Sequence, residues 1–185
     1  MAVWAERGIC GPQSPQGKME TITIEELIPA HFERVAAWLA KAEISRWLTG
    51  EWRNRVVNAT LISSVVRNRK NRLFLVRYDG QLCGLIALAD IDPSDKTAMV
   101  WYVLGEQTLS GRGITSHAIK QLMHLCFDEM RLASVYAWIM EDNAASQRVL
   151  QKAGFREAGR IRRAASSGGH QVDRIYFDLI ASEVR

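Results

Sequence analysis

The 185-residue sequence predicts an α+β domain, in which a mixed, mostly antiparallel sheet of six to seven strands is flanked by about four helices. Two observations carry that class. Short apolar runs with strand alternation are punctuated by turn signals, above all Asp79-Gly80. Around them lie four segments whose apolar residues recur at helical spacing. A hydrophobic content of 48% supplies a proper core for one domain of this length.

Taken in order, residues 1–18, "MAVWAERGICGPQSPQGK", are rich in Gly, Pro, Gln and Ser and have no period. They read as a flexible N-terminal tail before a single domain over 19–185, with Met19 either a natural start or the domain edge. "TITIEELI" (21–28) alternates as a strand, and Pro29 closes it at a position suited to starting a helix. Phe32, Val35, Ala36 and Leu39 then mark a first helix over 30–43. Val57, Leu61 and Val65 mark a second over 56–70, rich in β-branched residues.

Next, "RLFLVRY" (72–78) and "QLCGLIALADI" (81–91) form a hairpin through Asp79-Gly80, "DPSD" turns the chain, and 97–104 is the third antiparallel strand. Ile114, Ala118, Ile119, Leu122 and Met123 mark a helix to about Met130. "ASVYAWIM" (133–140) is a short buried strand in which Tyr136 and Trp138 share one face and are read as core. "NAASQRVLQKAGF" is a helix with Asn143 at its N-cap and Gly154 as its stop. Two closing strands, near 155–162 and 172–180, are separated by "SSGGHQ".

Composition narrows the function classes. No apolar run approaches the ~20 residues of a membrane span, and no secretory signal opens the chain, so a soluble, cytoplasmic protein is expected. Cys10, Cys83 and Cys126 are far apart, odd in number and without metal-ligand spacing, which argues against a disulfide framework or a zinc site. Cys83 and Cys126 read as small buried hydrophobes. The net charge of +4 and pI near 9.1 permit a polyanionic partner, but no aromatic residues interleave with the basic ones as a nucleic-acid platform would require. Neither a membrane nor a nucleic-acid partner is expected.

The segment "TLSGRGITSHAIKQLMHLCF" (108–127) runs from the end of a strand into a helix through two glycines. Such a junction gathers unpaired backbone N–H groups at the positive end of a helix dipole, a setting that suits an anion. Gly111 and Gly113 would let backbone approach a diphosphate closely, and Arg112 adds charge; alternatively, the glycines only make a tight turn. Neither nucleotide fingerprint is met, since Ser116 stands where GxGxxG needs its last glycine and no GK[ST] follows.

"EDNAASQRVLQKAGFREAGRIR" (141–162), together with "VLGEQTLSGRGITSHAI", resembles the GCN5-related N-acetyltransferase (GNAT) superfamily, from roughly Glu20 to Ile180. The resemblance implies a GNAT-type sheet and acetyl-CoA as cosubstrate, with no metal. In that superfamily a loop of Gln or Arg, two residues, Gly, one residue, then Gly or Ala binds the pyrophosphate. Here Ser110 replaces the first position, Gly113 is the central glycine and Thr115 replaces the last. The implied cofactor contacts are Val103, Leu104, Ser110, Gly111, Arg112, Gly113, Ile114, Thr115, Asn143 and Ser146.

The Asn-led helix looks like the branch of ribosomal-protein N-terminal and spermidine acetyltransferases. Many other members carry a tyrosine in this helix that protonates the CoA thiolate; the matching position is Leu150, and Ser146 is the implied substitute. Ser146 could equally be a first-turn residue bonding backbone. The implied chemistry is direct attack of a primary amine on the thioester in a ternary complex, with a backbone N–H near Val103 or Leu104 as oxyanion donor. Glu106 is the carboxylate nearest that strand end and the candidate base through water; Asp90 and Asp92 follow, each also a turn former.

His117 reads as a base, a phosphate contact or a surface residue, and Arg148 and Lys152 as phosphate contacts or a solvated face. On the acceptor side, Trp47 and Trp52 would form a wall with Asp90 at its edge, and Glu43 and Glu51 would hold a cationic amine; the tryptophans could instead fasten helices to the sheet. The acceptor is a small molecule or a protein N-terminus, and a homodimer is a possible assembly. A non-catalytic acyl-CoA-binding sensor or scaffold of the same fold is the competing function.

Overall fold

The computed structural model describes residues 20–53 and 55–184, without the side chains of Gly50 and Glu51. The expected tail, Met19 and Cys10 lie outside the described residues. The strands are β1 (Ile22–Glu26), β2 (Arg72–Tyr78), β3 (Gln81–Asp92), β4 (Thr97–Leu104), β5 (Ser134–Met140), β6 (Arg156–Ser167) and β7 (His170–Ile180). The α-helices are α1 (Phe32–Ala40), α2 (Ala42–Ser45), α3 (Gly50–Arg53), α4 (Ala59–Arg67), α5 (Ile114–His124) and α6 (Ala144–Ala153). One seven-stranded sheet runs in the order β1-β2-β3-β4-β5-β7-β6, and every neighbouring pair is antiparallel except β4 with β5.

Local chemistry sets the boundaries. Asp79 and Gly80 both take positive φ, which suits the tight turn joining β2 to β3. Gly168 and Gly169 do the same for β6 and β7. That second turn corrects the expected closing segment: Ser166, Ser167, His170 and Gln171 are paired strand residues, and only the two glycines turn.

The first expected helix is broken after Ala40, where Lys41 leaves helical geometry (ψ 130°) and its Nζ donates to the Gly105 carbonyl at 3.0 Å. α4 is shorter than expected because the Asn58 side chain caps it by accepting from the Leu61 N–H, while Asn68 ends it in extended geometry. α5 passes at Leu125 into a π turn that continues to Glu129.

Two apolar layers sandwich the sheet. On one face Phe74, Ile86, Val100, Val135 and Phe177 pack with Ile119 and Leu122 of α5 and Leu150 of α6. On the other, Leu73, Leu75, Leu85 and Val103 pack with Val35 and Leu39 of α1 and Ile62 of α4. Removing this much apolar surface from water is the main force holding helices to sheet. Cys83 and Cys126 are buried free thiols, and burial pushes their pKa values up to about 11 and about 12, so both stay protonated and inert near neutrality.

Tyr136 and Trp138 are not core. Strand alternation puts Val135, Ala137 and Ile139 into the α5/α6 layer, and Tyr136 and Trp138 point to the opposite face, half-buried.

β4 and β5 pair only through Thr97–Ser134, Ala98–Val135 and Met99–Tyr136, although both strands continue well beyond. Their C-terminal halves therefore diverge and leave a notch in the sheet. The outgoing end of β4 is held to β3 instead, where the N–H groups of Gly105 and Glu106 both donate to the Cys83 carbonyl, a bulge that bends the strand.

Candidate active site

The notch is the floor of a cleft of about 970 Å³ that runs from the loop before α5 to the residues between α2 and α4. This is the scale of pockets that hold extended small ligands. The β4 backbone presents itself there by alternation. Gly105 donates to β3, and Leu104 opposes Gly84 in the intervening position, so the peptide groups of Leu104 face the notch. Val103 and Leu104 both line the cleft. Gly84 is required by this pairing, because a Cβ there would stand 2.6 Å from the Val103 carbonyl oxygen.

At one end of the cleft lies the loop into α5. Gly111 and Gly113 have φ of 84° and 77°, in the left-handed region that disfavours side chains, and Gly113 is the N-cap of the helix. The Ser116 hydroxyl donates to the Gly113 carbonyl at 2.9 Å, so this serine ties the first turn inward. The cap residue has no side chain to satisfy the first-turn N–H groups, which remain for a ligand. Ser110, Gly111, Gly113, Ile114 and Thr115 line the cleft.

Arg112 does not join them. Its guanidinium donates to the Tyr78 hydroxyl at 3.3 Å and sits 5.8 Å from that ring's centre, so the charge expected over a phosphate is turned toward β2.

α6 forms one wall. The Asn143 side chain accepts from the Ser146 N–H at 3.1 Å and caps the helix from a buried position. The Ser146 carbonyl accepts from the Tyr102 hydroxyl at 3.1 Å, pinning the start of α6 to β4. Burial raises the pKa of Tyr102 above the ordinary phenol range, which keeps it a neutral donor. Ser146 lines the cleft at half burial, and its hydroxyl lies beside that of Tyr102. Leu150, at the position of the superfamily's tyrosine, is fully buried core. Arg148 and Lys152 lie on the rim as exposed cleft residues, whereas His117 does not line the cleft.

Glu106 is committed elsewhere. Its carboxylate accepts from the Trp38 indole at 3.1 Å and from Arg34 at 2.9 Å, and it does not line the cleft. The Trp38 hydrogen bond, reinforced by Arg34, holds its pKa below the usual carboxylate range. A depressed pKa and an engaged carboxylate withdraw it from the expected role of base. Asp92 is a turn former, accepting from the Ser94 and Asp95 N–H groups. Asp90 alone of these carboxylates faces the cleft, exposed and in left-handed geometry (φ 49°) at a bulge in β3.

The acceptor end is walled by indoles. Trp47 and Trp52 line it as expected, with Trp101 and Trp138 added, and the Trp52 and Trp101 rings lie 5.5 Å apart. Arg174 stacks on Trp138 at 3.9 Å. Glu43 is an exposed cleft residue; the Glu51 side chain lies outside the described residues. Sequence reading missed Tyr102, Trp101 and Arg174. Period-2 spacing in their strands was the available signal, but which strands diverge is a property of the sheet. Among the described residues no group of three His, Cys, Asp or Glu side chains could hold a metal, and no helix is long and apolar enough to cross a membrane.

Comparison with known proteins agrees with this geometry. Residues 21–156 match the acetyltransferase (GNAT) domain. The "Putative ribosomal N-acetyltransferase YdaF" of Bacillus subtilis (strain 168) is 26% identical over 167 residues, covering 86% of this chain and 85% of that protein. A crystal structure titled as a probable acetyltransferase superposes with a TM-score of 0.75 at 27% identity, over 88% of this chain and 94% of its own. A spermidine N-acetyltransferase from Vibrio cholerae, solved with CoA and spermine, shares the fold with a TM-score of 0.76 at 16% identity, over 88% and 97% of the two chains. The domain match takes in the α5 loop, the notch and α6 together, and the chain belongs to the GNAT acetyltransferase family.

Proposed function

We propose that this acetyltransferase moves an acetyl group from acetyl-CoA to a primary amine by direct attack within a ternary complex. The observation that carries the reading is the divergence of β4 from β5, which joins the α5 loop to the tryptophan-walled end in one cleft. A thioester donor and an amine entering from opposite ends meet at the notch.

In this reading the backbone N–H groups of the α5 loop bind the pyrophosphate, so Ser110 and Thr115 can replace the superfamily residues without loss of the donors that matter. The amine nitrogen, neutral when it attacks, forms the new C–N bond, and the Leu104 N–H donates to the oxyanion. As the intermediate collapses the C–S bond breaks, and the Ser146 hydroxyl hydrogen-bonds the departing thiolate. The amine's surplus proton passes to water at the open cleft, with Asp90 the carboxylate placed to assist.

Calorimetric titration with acetyl-CoA tests the cofactor site. Wild type is expected to bind, and Gly113→Trp to lose binding, because φ of 77° is strained for any side chain and the indole would fill the loop. An amine panel read by thiol release then tests transfer. Binding without turnover of any amine would favour the sensor or scaffold; no binding by wild type would overturn the acetyl-CoA site.

A further inference from the structure

Polar groups at the acceptor end are unbalanced in one direction. Arg174, half-buried on β7, pairs with no carboxylate and makes no hydrogen bond among the described residues; its contact is the face of Trp138. Its Nε is cut off from solvent with no partner. The Thr49 hydroxyl, also lining the cleft, is likewise buried and unpartnered. The indole N–H groups of Trp47, Trp52, Trp101 and Trp138 donate to nothing in the described protein. Among the described residues two carboxylates, Glu43 and Asp90, stand against this array, both exposed and neither within ion-pair distance of Arg174.

A site made to grip a polyamine would show the reverse, with buried carboxylates turned inward. A cleft whose buried, unpartnered atoms are a guanidinium nitrogen and a hydroxyl, with half-buried indoles beside them, is complementary to a group rich in hydrogen-bond acceptors and negatively charged. The stack on Trp138 fixes the guanidinium plane, so the cation is held in place before the ligand arrives.

Register places this cation near the chemistry. Arg174 pairs with Met140, the last residue of β5, and on that face it stands beside Trp138 at the diverging end of the strand. We propose that the acceptor is a small primary amine carrying an anionic group, carboxylate or phosphate, and that Arg174 receives that group against Trp138. This rests on the acetyl-transfer reading above and adds the substrate class.

The test uses conjugates in which the CoA sulfur is joined through an acetyl bridge to the nitrogen of glycine, 4-aminobutyrate or O-phosphoethanolamine. Each is compared by calorimetry with its neutral counterpart, the primary amide or ethanolamine, and with the spermidine conjugate. At least one anionic conjugate is expected to bind about ten-fold more tightly than its counterpart, and the carboxylate and phosphate members tell which anion fits. Arg174→Gln should erase that advantage and Arg174→Lys keep part of it, with the Kd for CoA itself changed less than about two-fold. Equal affinities within every pair, tightest binding by the spermidine conjugate, or an advantage that survives Arg174→Gln would each overturn the proposal. Binding is read without turnover, so absent acetyl transfer would sink the catalytic reading separately from this one.

Discussion

Gly105 joins the fold to the notch, and replacing it with alanine gives a sharp test of how β4 is held. A Cβ built at Gly105 would stand 2.2, 2.3 and 2.5 Å from three atoms of the Trp38 ring. Ordinary carbon contacts begin near ~3.5 Å, so the ring must move by more than about 1 Å. It has little room, being 3% exposed and packed in the α1/α4 layer. Overpacking of this kind costs about 1–3 kcal/mol. Displacing the indole also weakens its bond to Glu106, worth roughly another 1 kcal/mol at a partly exposed carboxylate. A total of about 2–4 kcal/mol should lower Tm by roughly 4–16 °C for a domain of this size.

Urea unfolding of wild type, Gly105→Ala, Trp38→Ala and the double variant closes the cycle. Trp38→Ala alone is expected to cost about 3–5 kcal/mol through the cavity it leaves. In that background Gly105→Ala should cost nothing or gain a few tenths, so the coupling should reach about 2 kcal/mol or more. A cost below about 0.5 kcal/mol for the single variant, or the same cost with and without the indole, would refute the packing argument.

Glu106→Gln should leave kcat for acetyl transfer within about two-fold of wild type across the neutral and alkaline range, because its carboxylate serves Trp38 and Arg34. Its folded-state pKa is depressed, so the stabilisation is present above the unfolded value near ~4.3 and is lost as pH falls through the folded value; urea midpoints of the variant should therefore change less on acidification than those of wild type. Ser146→Ala should lower kcat by about 10- to 100-fold, with the acetyl-CoA Kd and Tm changed little, since its backbone N–H and carbonyl keep their bonds to Asn143 and Tyr102. Steady-state kinetics with calorimetry separates the two effects, and an unchanged kcat would remove Ser146 from the thiolate.

Local chemistry made most elements legible. Asp79-Gly80, the Asn143 cap and the Gly154 stop each act within a few residues, and each appears where the sequence placed it. The break at Lys41 was not legible, because it depends on a carbonyl 64 residues away. Gly111 and Gly113 marked the loop, yet the direction of Arg112 was hidden, since its partner Tyr78 is brought alongside only when the α5 loop settles near β2. The partners of Glu106 were hidden for the same reason: proximity along the chain puts it beside the notch, while the indole and guanidinium that hold it come from α1.

The acceptor wall shows most clearly what periodicity omits. Alternation assigns Trp101, Trp138 and Arg174 to one face, but whether that face is covered depends on the other layer. α1 and α4 cover it over β2 to β4, where Leu73, Leu75 and Leu85 are fully packed. Beyond β4 the same face carries Tyr136, Trp138, Arg174 and Tyr176, each only half-buried. Large aromatic rings and an unpaired guanidinium left half-covered by their own protein are complementary to a ligand, whereas the same residues under a helix would be core. A tryptophan in a short apolar strand usually has a helix above it, so the sequence predicts Trp138 as core, whereas here the notch and the cleft take the helix's place.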